Sequence, residues 1–235
     1  MCAHAQMIVP DSTHLGMKPA DFEKMYVVDT MCKREGEKMF LQHAVTDTLL
    51  IGKVNALVKY LDSTSYWALF FRGSYTKADS IWYADTSGSV LKQIVQRDDL
   101  NKCTQFFAAE ILMQHSDWKP EGPLLKKVAE LYATALRENY AEVGNPWGRP
   151  DDVGDIGRRI ARMGDAVVVA FRPLLKCKTT VYYAGSKRGR KGRYTKYRVK
   201  DIAASHICAI RNIEFDGDCK RWKRNMQIRK LRRKL

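Results

Sequence analysis

The sequence predicts an α+β fold, with a helix-rich N-terminal part carrying an antiparallel hairpin and then a β-containing basic C-terminal part. Three patterns lead there. Apolar residues recur at helical spacing over 100–111 and 124–135. Aromatic residues crowd the short runs 66–71 and 80–83, which suit two paired strands. A continuous apolar run at 166–171, rich in Val, reads as a further strand, and so do the runs 179–183 and 194–199 on either side of the Gly185 to Gly192 region. One mixed α/β domain is the alternative arrangement of the same elements.

In chain order, residues 1–17 show neither helical nor strand periodicity and read as an extended arm. Pro19 suits a first helical turn, and Phe22, Met25, Tyr26 and Met31 follow at roughly helical spacing up to Gly36. Leu50, Val54, Leu57, Val58 and Leu61 form one stripe of a second helix, broken at 62–65. The aromatic hairpin comes next, and 90–95 fits a third strand or a short helix. Asp98 stands as an N-cap before Leu100, Cys103, Phe107 and Ile111. Gly122-Pro123 opens another helix, whose face is Leu124, Val128, Leu131, Tyr132 and Ala135. The breaker-rich peptide 145–150 separates a mostly helical body, 18–144, from a basic part, 151–235. There, Asp151 or Asp152 is placed to cap a short helix with Val153, Ile156 and Ile160, closed at Gly164. After the strand at 166–171 comes a hairpin whose tip and returning strand carry positive charge. Residues 202–215 fit helix or strand equally, Asp216-Gly217 is a turn, and 220–235 is a basic tail.

Charge is distributed unevenly along this layout. From Lys187 onward lie eighteen of the 41 Lys and Arg but only four of the 26 Asp and Glu, so nearly all of the net +15 belongs to the last fifth of the chain. Clustered cations repel one another unless a polyanion or acidic surface offsets them. The hairpin supplies Lys187, Arg188, Arg190, Lys191, Arg193, Lys196, Arg198 and Lys200, with Tyr194 and Tyr197 between them as candidate base-stacking groups. The tail supplies Lys220, Arg221, Lys223, Arg224, Arg229, Lys230, Arg232, Arg233 and Lys234. Trp222, Met226 and, less regularly, Ile228 and Leu231 would give a helical tail one weak apolar face.

Hydrophobic residues make up 45% of the chain, enough for an ordinary core without disulfide staples. The six cysteines are widely spaced, which suits thiols in a reducing compartment. With no secretory leader and no apolar run of membrane-spanning length, the sequence reads as intracellular, cytoplasmic or nuclear, with a virion as a further location. Neither Cys2 with His4 nor His206, Cys208 and Cys219 reproduces a structural zinc pattern. Phosphate-loop, dinucleotide and hydrolase motifs are absent, so no cofactor, metal or catalytic residue is assigned.

These features point to a non-enzymatic protein that binds nucleic acid, RNA before DNA, and packages or assembles on it as a coat protein or nucleoprotein does. Homo-oligomers or a ribonucleoprotein assembly follow as partners. A ribosome-like ribonucleoprotein subunit is the nearest alternative. A metal-dependent nuclease is another, on the strength of Pro150-Asp151 and Asp218-x-Lys220, whose carboxylates and lysine could hold Mg²⁺ at a phosphodiester. Docking on acidic protein or anionic lipid is the third.

Overall fold

Local caps and spacing make the described residues mostly helical. The computed structural model describes residues 54–71, 76–141, 146–150, 152–181, 183 and 196–235. The expected arm, the helix beginning near Pro19 and the tip of the basic hairpin lie outside these residues. The helices are α1 (Val54–Asp62), α2 (Tyr66–Phe70), α3 (Lys77–Ala84), α4 (Ser89–Gln96), α5 (Lys102–His115), α6 (Gly122–Glu138), α7 (Asp155–Ala161), α8 (Asp165–Phe171), α9 (Val199–Ile210) and α10 (Arg221–Lys234). A 3-10 turn, Arg172–Lys176, extends α8.

The α+β expectation, and with it the mixed α/β alternative, is overturned. Among the described residues, β-structure is one two-residue antiparallel ladder, β1 (Gly148–Arg149) with β2 (Asp152–Val153), and one isolated bridge, Thr180 with Arg198. The aromatic runs are the helices α2 and α3. Ser65 caps α2 by accepting from the Ala68 amide, and Tyr66, Leu69 and Phe70 are buried at i, i+3 and i+4. Thr76 and Asp79 form a reciprocal capping box that starts α3. Residues 90–95 belong to α4, which buries Leu91, Ile94 and Val95 at the same helical spacing. The apolar run at 166–171 is α8, burying Val167, Val168 and Phe171 while Val169 points outward. Among the described residues, the segments expected to form the basic hairpin meet at its base, where the Val181 amide donates to the Tyr197 carbonyl and the Val199 amide to that of Thr179.

Two helix starts differ in detail. Asn101, not Asp98, caps α5, and Asp98 instead pairs with Lys127 at 2.8 Å. Gly154 precedes α7, and a Cβ at this position would collide with the backbone of Pro146, Trp147 and Gly148. The predicted start of α6 at Gly122-Pro123 stands as read, and Asn139 closes that helix in the left-handed conformation.

Two helices act as hubs. α5 touches α1, α3, α4, α6 and α7, and ten consecutive residues, Thr104 to Met113, are buried. α9 touches α7, α8, α10 and the 3-10 turn, and is buried at Val199 and from Asp201 to Cys208. α6 packs on both α5 and α8, so one apolar cluster runs from Leu57 to Leu231. Helices buried on all sides sit at the centre of a core.

Candidate nucleic-acid interface

The basic tail is an ordered helix fastened to the body. Asp216 organises its entry: Oδ1 accepts from the amides of Asp218 and Cys219, while Gln227 reaches back from α10 to the Asp216 amide and carbonyl. Gly217 lies so close to Pro150 that a Cβ there would overlap the proline ring. α10 contains eight Lys or Arg and no acid. Its last turn, with Arg232, Arg233 and Lys234, complements the helix dipole, whereas Arg221 and Lys223 in the first turn oppose it.

One face of α10 is buried through Arg224, Ile228 and Leu231. Burying the two apolar side chains contributes about 1.5–3 kcal/mol each. Arg224 is held by more than contact. Its Nη1 donates to the Cys219 carbonyl at 2.8 Å and to Gly217 at 3.3 Å, its Nε stands 3.5 Å from Asp201 Oδ1, and its guanidinium lies 5.2 Å from the Tyr197 ring centroid. Asp201 is fully buried and also receives Arg198 in a two-bond fork of 2.8 and 2.7 Å. Tyr197 Oη donates to Asp218 at 2.8 Å, which ties the start of α9 to the turn before α10.

The predicted binding set therefore divides. Tyr197, Arg198 and Arg224 are buried and engaged with protein groups. Lys196, Lys220, Arg221, Lys223, Arg229, Lys230, Arg232, Arg233 and Lys234 are exposed. Lys200 is half-buried, and burial followed by repulsion from Arg198 lowers its pKa. Lys187, Arg188, Arg190, Lys191, Arg193 and Tyr194 lie outside the described residues. The expected inward face is reversed in part: Trp222 and Met226 are 55% and 47% exposed.

The structure also gathers two cations that no run in the sequence announces beside one from the tail. Arg172 from the 3-10 turn, Arg211 from the end of α9 and Lys234 from α10 line a cleft of about 290 Å³ with Val168, Val169 and Ile213. Arg211 pairs with Asp165 at 3.2 Å. Arg172 and Arg211 are isolated in sequence, so only the fold could reveal them.

Metal-binding geometry is not apparent: among the described residues no three His, Cys, Asp or Glu side chains are grouped to hold an ion. The described cysteines, Cys103, Cys177, Cys208 and Cys219, are thiols not joined in disulfides, and burial pushes the Cys208 thiol up to about 11. Among the described residues no helix is long and apolar enough to cross a membrane. No protein-family model, curated protein or solved structure gives a significant match to the chain.

Proposed function

We propose that this protein binds nucleic acid, RNA in the first instance, through the outward faces of α10, and works as a subunit or assembly protein of a nucleoprotein particle. The observation that carries this reading is the sorting of charge on one helix: Arg224 faces inward on a carboxylate and two carbonyls, while Arg221, Lys223, Arg229, Lys230, Arg232, Arg233 and Lys234 face water with no acidic residue on the same helix. A phosphate backbone is the polymer that offsets such an array, and each contact releases condensed counterions. Because the helix is fastened at both its entry and its inner face, it presents charge in fixed positions. That suits a ribonucleoprotein subunit seated against RNA better than an unstructured packaging arm.

The test is titration of a labelled RNA at several salt concentrations. Wild-type affinity should fall linearly on a log–log plot, and Arg229→Glu with Arg233→Glu should weaken binding at least tenfold while leaving the melting temperature unchanged. Salt-independent affinity would remove the reading. Discrete protein–RNA complexes in size exclusion support a subunit, and large nuclease-sensitive particles support packaging.

A nuclease is the second reading, favoured by one contact. Pro150 packs directly on Gly217, which sets the residue before Asp151 against the turn that leads into Asp218-x-Lys220, while Asp151 itself lies outside the described residues. Against it, Asp218 already accepts from Tyr197. Mg²⁺-dependent cleavage of labelled RNA or DNA, lost in Asp151→Ala, would establish this activity.

A further inference from the structure

The crest of α10 carries an apolar pair that the core does not use. Stepping about 100° per residue, Arg224, Ile228 and Leu231 form the buried stripe, and Trp222, Met226, Arg229 and Arg233 fall on the side opposite to it. Trp222 and Met226 are thus 55% and 47% exposed at one end of a row that continues into two arginines. Lys223 places its ammonium 5.7 Å from the Trp222 ring centroid. An aromatic plane and cations so arranged match the two parts of one nucleotide, a base with a π face and a charged phosphate.

Resting on the reading that α10 binds nucleic acid, we infer that Trp222 stacks on an unpaired base, which makes the substrate class of this surface single-stranded RNA or DNA. A duplex offers its phosphates but keeps its bases stacked inside, so the indole adds nothing there. Other occupants fit less well. A second copy of the helix would set arginine against arginine. An anionic bilayer takes up helices with a broad apolar face, and here the inner apolar residues are committed to the body, which leaves Trp222 and Met226 among cations.

The experiment compares a labelled 20-nucleotide strand with the duplex of the same sequence, at one salt concentration, for the wild type, Trp222→Ala and Trp222→Phe. Stacking by one base predicts a loss of about 5- to 100-fold on the single strand in the alanine variant. The duplex affinity should stay unchanged, Trp222→Phe should retain most of the single-strand affinity, and the salt slope should not move. An alanine variant that loses nothing, or loses equally on strand and duplex, overturns the inference while leaving phosphate binding in place. If the wild type binds neither nucleic acid, the functional reading fails first. Binding of the wild type to phosphatidylserine vesicles, weakened by Trp222→Ala while strand affinity is untouched, would assign the crest to lipid instead.

Discussion

The two hub helices each bury a carboxylate, and they balance it differently. In α5, Glu110 accepts from Tyr66 at 3.1 Å and Tyr132 at 2.6 Å and pairs with Arg159 of α7. One cation meets one anion, and two hydroxyls complete the acceptor sites. Burial first, and Glu110 second, push both tyrosines well above their ordinary pKa. Burial works against the charge on Arg159, yet Glu110 holds its pKa above the usual value. In α9, Asp201 faces two buried guanidiniums, Arg198 and Arg224. The surplus cation is offset by the carbonyls of Gly217 and Cys219 and by the Tyr197 ring. The first centre closes a core. The second fastens a surface helix, so a stabilising interaction also fixes where the exposed charges point.

Breaking this comparison gives the largest expected effects. Asp201→Ala leaves two buried cations without their counter-charge and should cost on the order of 3–5 kcal/mol, read by urea denaturation. Glu110→Ala should cost a similar amount but leave α10 seated, so its folded fraction keeps full RNA affinity. An Asp201→Ala protein as stable as the wild type would show that the second centre does not hold the helix.

A smaller effect comes from pH. His206, on α9, is buried beside Gly157 and Phe171, and burial, against a hydrogen bond with the Trp147 backbone, lowers its pKa to about 4. Between this value and the ordinary 6.5 the unfolded chain binds the proton and the folded chain does not, so stability rises with pH across that window. Moving from pH 7 to pH 5 should therefore cost about 2 kcal/mol, and His206→Gln should flatten that limb in denaturation curves at the two pH values. The smallest change sharpens the tie between α9 and α10. Tyr197→Phe removes one hydrogen bond to Asp218 and should cost about 0.5–1.5 kcal/mol without altering the RNA salt slope.

Much of the helical framework was legible. Pro123 marked α6, and regular stripes marked α1, α5 and α6. The errors have physical causes. Aromatic side chains weighed toward strands at 66–71, although the spacing of Tyr66, Leu69 and Phe70 and the Thr76–Asp79 box were the deciding local signals. Six apolar residues at 166–171 are too few for periodicity to separate a strand from a short helix. α9 gave no period because it is buried all round. At the candidate site the charge run was plain, but its two faces were not. The buried stripe of α10 includes Arg224, so apolar spacing grouped Ile228 and Leu231 with Trp222 and Met226 on one face that the structure splits. Arg198 and Arg224 counted as binding residues because a charge census cannot see a buried carboxylate; the clue was Asp201, three positions after Arg198.

The most direct measurement is the salt dependence of single-stranded RNA affinity for the wild type and for Arg229→Ala/Lys230→Ala/Arg233→Ala. Three lost phosphate contacts at about 0.7 each predict a slope shallower by about 2, with an unchanged melting temperature. Parallel slopes would contradict the assignment of these cations to phosphate.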